Sequence, residues 1–183
     1  MALNVSAIPP KPINSPHNIF NCIVEIPKGS TQKYEYNFEY DVFELDRTLP
    51  SSLYYPMSYG FIPNTLAEDG DALDVCIYSI HPIDRETLVQ VKIVGALWMK
   101  DAGEMDYKLI GVPHFHPKIE TFGNITDLDP TSLEITKTFF KIYKQNTKKH
   151  DQVEVGDWLW HDETLLIIQK AIDKQVNYSN LQH

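Results

Sequence analysis

The 183-residue chain has little of what would place it in a specialised class. Cysteine occurs only at Cys22 and Cys76, each inside an apolar run, which argues against a disulfide framework and predicts reduced, buried thiols. No apolar run approaches the length needed to cross a bilayer. The first residues, Met1-Ala2-Leu3-Asn4-Val5, lack the basic region and apolar block of a secretory signal. The reduced thiols lead us to expect a cytoplasmic setting. Positive charge is scarce as well: 16 Lys and Arg stand against 25 Asp and Glu, a formal charge of −9. A nucleic-acid partner, which selects a basic surface, is therefore not expected, nor is a membrane partner. The eight glycines do not form a phosphate-binding loop of the P-loop type.

What the chain does have is crowded negative charge in Asp69-Gly70-Asp71-Ala72-Leu73-Asp74-Val75. Gly70 lets the backbone turn tightly, so that Asp69 and Asp71 can face one centre. Asp74 stands at the entry to an apolar strand, Val75-Cys76-Ile77-Tyr78, which fixes its direction. Crowded carboxylates tolerate one another when positive charge lies between them, and oxygen-only donors suit a hard cation such as Mg²⁺, Mn²⁺ or Ca²⁺. The competing reading of the heptad alone is a solvated acidic loop. A calcium loop of the EF-hand kind fails, because Leu73, Asp74 and Ile80 stand where a ligand, a glycine and the closing acid are required.

Along the chain, Pro9, Pro10, Pro12 and Pro16 make residues 1–18 an extended arm. Phe20 to Ile26 alternates as a strand, with Phe20, Cys22, Val24 and Ile26 on one face and Glu25 on the other. Lys33 to Phe38 puts Lys33 and Glu35 on one side, an arrangement that is also that of a surface ion pair, and Tyr34, Tyr36 and Phe38 on the other. Residues 88–99 predict a long strand, 100–104 its turn, and 107–112 the returning strand, on which Asp106 and Lys108 share a face. Asp129-Pro130 opens a helix to about Lys144, with Leu133, Thr136, Phe140 and Tyr143 on one stripe. Lys148-Lys149-His150 reads as its basic exit, and residues 153–158 as a short strand or turn. A second helix starts near Asp162, and the residues after about Val176 read as a tail. Trp158 and Trp160 are expected to pack near that helix, and His114 and His116 to be structural for want of a third ligand. Strands first and helices last imply one α+β, mainly β domain, a barrel-like body carrying two C-terminal helices.

The inward candidates are seven acids, Glu25, Glu35, Asp69, Asp71, Asp74, Asp101 and Asp106, and four bases, Lys33, Arg47, Lys108 and Lys144, with Tyr55, Tyr59 and Tyr143. Seven acids against four bases leave such a site at −3, a trap for phosphate only once divalent cations are added.

The heptad resembles the signature of the soluble family I inorganic pyrophosphatases. So do Val24-Glu25-Ile26-Pro27, Lys33-Tyr34-Glu35, Asp46-Arg47, Tyr55-Pro56 with Tyr59-Gly60, Asp101 to Glu104 with Asp106 and Lys108, Val112-Pro113, and Phe139 to Lys144, in the family's order over roughly residues 20–160. The resemblance implies an OB-type closed β-barrel that hydrolyses pyrophosphate to two phosphates with several Mg²⁺ ions, for which Mn²⁺ or another divalent ion could substitute. It implies that Asp69, Asp74 and Asp106 hold the first metal and that Asp74 bridges to the second. Asp101, Glu35 and Glu25 would serve metals that arrive with substrate, and Asp71 would act on the attacking water. Arg47, Tyr143 and Lys144 would hold the leaving phosphate, Lys33 and Tyr59 the attacked one. Lys108 would add positive charge and Tyr55 support. It also implies a homo-oligomer, commonly a hexamer. The chain departs from the family at Ala72, usually proline, and at Ala102, usually a second acid, for which Glu104 is a candidate substitute. Single-stranded nucleic acid binding by an OB-type barrel, or hydrolysis of another phosphoanhydride such as a nucleotide, are the rival readings.

Overall fold

A computed structural model describes residues 4–50, 52–144 and 153–181. Five strands close on one another: β1 (Ile19–Ile26), β4 (Ser58–Ile62), β5 (Leu73–Ile77), β8 (Lys108–Pro113) and β6 (Leu88–Asp101), with β6 returning to β1. All neighbours are antiparallel except β5 and β8, so the closed barrel has one parallel seam. Closure removes the edges of the sheet. All eight residues of β1 are buried, where alternation predicted one buried face: Phe20, Cys22 and Val24 pack with residues of the other barrel strands, and Ile23 on the opposite face packs with Val5 of the arm and with Tyr36. Cys22 and Cys76 are both buried free thiols, and burial first of all pushes the thiol pKa of each up.

Outside the barrel, β2 (Gln32–Asn37) and β3 (Val42–Thr48) form a separate hairpin. Tyr36 packs at its root against Phe43 and Phe61, whereas Tyr34 stacks under the Arg85 guanidinium, 3.6 Å from the ring centre. Phe38 lies beyond the strand, exposed, with its edge to Tyr36. The long strand β6 runs two residues further than its pattern suggested. It pairs with the two-residue β7 (Glu104–Met105) across Ala102-Gly103, both at positive φ (52° and 88°). β9 (Val153–Trp160) is a full strand paired with β6. Trp158 packs against the barrel, but Trp160 is half exposed on this strand and is not packed as expected.

Helix α1 (Pro130–Ile142) is capped by Asp129, whose carboxylate accepts the Ser132 N–H at 2.8 Å. Leu133, Thr136, Phe139 and Phe140 are its buried stripe, and Tyr143 follows as its buried C-cap. Helix α2 (His161–Leu181) seats Thr164, Ile168 and Ala171 on the barrel and continues through the residues expected to be a tail. No described helix is long and apolar enough to cross a membrane. The arm holds one short 3-10 turn, Val5–Ala7, and is tied to β1 by Asn21, whose side-chain amide donates to the Pro9 carbonyl at 2.8 Å. The basic stretch 148–150 lies outside the described residues.

The barrel wall is tightest at Gly60 on β4. A Cβ there would lie 2.0 Å from the Ile23 carbonyl oxygen, backbone of the neighbouring strand. Gly60→Ala is expected to lower unfolding free energy by about 3 kcal/mol or more, the upper range for overpacking, because backbone in a closed ladder cannot move aside. Urea denaturation checks this, and a change under about 1 kcal/mol would contradict it.

Candidate active site

Every one of the fourteen residues singled out from sequence lines a single cavity of about 590 Å³ at one side of the barrel. They arrive from different elements. Glu25 comes from β1, Lys33 and Glu35 from β2, and Arg47 from β3. Tyr55 precedes β4, Tyr59 lies on it, and Asp69 and Asp71 sit on the loop that follows. Asp74 opens β5, Asp101 ends β6, Asp106 precedes β8 and Lys108 begins it, while Tyr143 and Lys144 follow α1.

Local geometry explains several of these placements. Glu25 falls where the register of β1 on β4 shifts between Val24 and Ile26, a bulge that re-aims a side chain. It is buried, and its Oε1 accepts the Tyr36 N–H at 2.8 Å. Burial, then the charge of Asp74, holds its carboxyl well above the usual range. Asp74 and Lys108 are direct partners across the parallel β5–β8 seam, and Lys33 and Arg47 are partners across the hairpin. The Lys108 ammonium is almost fully buried and donates to both Asp74 and Asp106. Burial opposes its charge, but the two carboxylates outweigh that and hold its pKa well above the ordinary lysine value. Burial pushes Asp106 up to about 6 in spite of Lys108. Asp71 is also raised, by partial burial first and then by Asp69 and Asp74.

Lys144 pairs with Asp101, and Lys33 pairs with Glu35. Burial keeps the phenols of Tyr55, Tyr59 and Tyr143 well protonated at neutral pH, so they act as hydrogen-bond donors. Among the described residues, two kinds of buried polar atom here find no hydrogen-bond partner: Nε and Nη2 of Arg47, which are donors, and Oδ1 of Asp101, an acceptor. A cavity that presents unmatched donors and an unmatched carboxylate oxygen suits a ligand that is both anionic and accompanied by cations.

Among the described residues, no three His, Cys, Asp or Glu side chains are drawn together tightly enough to grip an ion by themselves. Lysine ammoniums lie between the carboxylates instead. The donor set nevertheless fits a hard divalent cation: every candidate ligand is a carboxylate, and Asp101 has an oxygen to spare.

Sequence reading passed over four cavity-lining residues. Asp46 accepts from Arg47 at 2.6 Å and stands 3.6 Å from the Lys33 ammonium. Its position beside Arg47 was the available signal. Tyr36, Phe38 and Phe61 form an aromatic wall that no charge pattern marks. Glu104 is exposed and does not line the cavity, so it does not stand in there for the acid replaced by Ala102. His116 packs edge-on against Phe122 at 5.1 Å and accepts the Lys118 N–H, and His114 is exposed.

Residues 22–175 match the family described as inorganic pyrophosphatase. Soluble inorganic pyrophosphatase 2 of Chlamydomonas reinhardtii is 38% identical over 162 residues, 88% of this chain and 83% of its own. The inorganic pyrophosphatase of Geobacillus stearothermophilus is 37% identical over 85% of this chain and 93% of its own. The crystal structure of the Thermus thermophilus inorganic pyrophosphatase superposes with a TM-score of 0.87 at 33% identity, covering 94% of this chain and 99% of that one. With the barrel, the cavity and the matched length in agreement, the chain belongs to the inorganic pyrophosphatase family.

Proposed function

We propose that the acidic cavity is where this chain, a phosphoanhydride hydrolase by family, hydrolyses pyrophosphate to two phosphates with Mg²⁺. The observation that carries this reading is the meeting of eight carboxylates, the seven expected and Asp46, with Lys33, Arg47, Lys108 and Lys144 in one cavity. Glu25, Glu35, Asp69, Asp74, Asp101 and Asp106 would hold the metal ions, with Mn²⁺ able to substitute. When bound there, Mg²⁺ supplies neutralisation of phosphate charge and lowers the pKa of water.

The chain's own residues do the rest by position. Arg47, Tyr143 and Lys144 hold the leaving phosphate, and the unmatched Arg47 Nε and Nη2 are donors suited to its oxygens. Lys33 and Tyr59 hold the attacked phosphate, with Lys108 adding positive charge behind Asp74 and Asp106 and Tyr55 supporting through its ring contact with Tyr59. Asp71 takes a proton from the attacking water at its carboxylate oxygen. Its raised pKa makes it a better base than an ordinary aspartate, which is the direction this role requires. No Ser, Cys or His nucleophile enters, since phosphoryl transfer to water depends mainly on positioning and charge.

Phosphate release from pyrophosphate by the purified protein tests the reading: rapid release with Mg²⁺, abolished by EDTA, is the expected result. Release from ATP but not from pyrophosphate would move the chain to the nucleotide reading. We further read residues 1–183 as one cytoplasmic domain assembled as a homo-oligomer, with a hexamer expected. Light scattering that found only a 21.1 kDa species would exclude the assembly.

A further inference from the structure

Residues 63–72, which link β4 to β5, carry Asp69 and Asp71 and set the approach to Asp74. This loop packs three carboxylates of one sign, Glu68, Asp69 and Asp71, into four residues. Their repulsion favours a splayed loop, so something must hold it closed.

Two contacts outside the carboxylates do so. At the base, the buried Thr65 hydroxyl donates to the Ile62 carbonyl at 2.7 Å and accepts the Leu73 N–H at 2.9 Å. Ile62 and Leu73 are the last paired residues of β4 and β5, so this one hydroxyl extends the ladder across the mouth of the loop. On the outer side, helix α2 grips the loop backbone. The Leu66 N–H donates to the Ala171 carbonyl at 3.0 Å, and the Lys174 ammonium donates to the Ala67 carbonyl. Ala67 also ties the loop to itself, because its N–H donates to the Asp71 carbonyl at 2.8 Å. The Asp71 N–H in turn donates to Asp69 Oδ1 at 3.1 Å. The chain of contacts thus runs from the C-terminal helix to both carboxylates.

We propose that Thr65 and Lys174 are positioning residues that pre-form the acidic loop, so that Asp69 and Asp71 are set before a divalent cation arrives. This rests on the reading of the cavity as the metal-dependent site. Neither residue touches the cavity, so each acts through the backbone it holds. The effect falls first on affinity for the cation, because an unclasped loop must be ordered at the moment of binding.

The test is calorimetric titration of the substrate-free full chain with Mg²⁺ alone, together with hydrogen exchange at the Leu73 amide. Thr65→Val keeps the shape and removes the hydroxyl. It is expected to weaken Mg²⁺ binding by about tenfold, the lower end for loss of a residue that orients ligands. Exchange at Leu73 should quicken, and Thr65→Ser should restore both. Lys174→Met, at an exposed helix position that leaves the core intact, is expected to weaken binding by about threefold. Mg²⁺ isotherms for Thr65→Val and Lys174→Met that match the native chain would overturn the proposal. Should Thr65→Val not fold, the Lys174→Met isotherm decides alone. The two readings fail separately. A native chain that releases no phosphate while the variants weaken Mg²⁺ binding would sink the hydrolase reading and keep the clasp. A native chain that releases phosphate beside variants with unaltered isotherms would do the reverse.

Discussion

Asp71→Asn is expected to lower kcat for phosphate release by about 10²–10⁴-fold, the usual contribution of a positioned general base. KM should stay close to that of the native chain, because the cations and phenols proposed to hold the phosphates are untouched. The expectation follows from three properties of Asp71: it lines the cavity between the candidate ligands Asp69 and Asp74, burial and those neighbours raise its pKa, and it is held by its backbone. Asparagine keeps the shape and the loop's backbone bonds but cannot accept the proton. Steady-state kinetics at saturating Mg²⁺ makes the check. A kcat within about threefold of native would remove Asp71 from the proton transfer. A tenfold or larger rise in KM with unchanged kcat would make it a substrate-holding group instead.

Lys108→Met should have its largest effect on the metal-free protein. The ammonium is buried and neutralises Asp74 and Asp106 together. Removing one partner of a buried pair leaves charge uncompensated, which costs about 3–5 kcal/mol. In EDTA, urea denaturation should show a loss of that size. In saturating Mg²⁺ most of the loss should disappear, since a cation among the same carboxylates supplies the missing charge and binding to the native state adds stability. An equal loss in both conditions would mean that Lys108 serves packing and not charge balance. On the proposed reading the variant should also turn over more slowly, having lost the positive charge behind Asp74 and Asp106.

Much of the site was legible because its parts are local. Asp106 and Lys108 are two residues apart on one extended segment, and the structure pairs them. The same period pairs Lys33 with Glu35. Asp129-Pro130 announced the start of α1, and its buried stripe followed from a helical period. Pattern reasoning went wrong where burial came from far away. Alternation predicts a one-faced β1, but the N-terminal arm and the hairpin, through Val5 and Tyr36, bury the face that the other barrel strands do not. Trp160 was expected to be packed, yet the exit of β9 into α2 leaves it half exposed. The β2–β3 hairpin gave no clean alternation in its second strand, because most of Val42–Thr48 faces water.

By itself the sequence determined the inventory and the short-range order: which carboxylates are crowded, which charges share a strand face, where turns and caps fall, and the family to which the blocks belong. Backbone sterics, capping and the two-residue period act within a few residues, so these features need no partner elsewhere in the chain. Only the tertiary structure decided that Lys108 sits between Asp74 and Asp106, that a bulge turns Glu25 inward, and that Thr65 and Lys174 brace the acidic loop. The first depends on the register of β5 against β8, the second on that of β1 against β4, and the third on the seating of α2 beside the β4–β5 loop. The electrostatics followed from the same step, because a charge feels its neighbours strongly only once folding has removed the water between them.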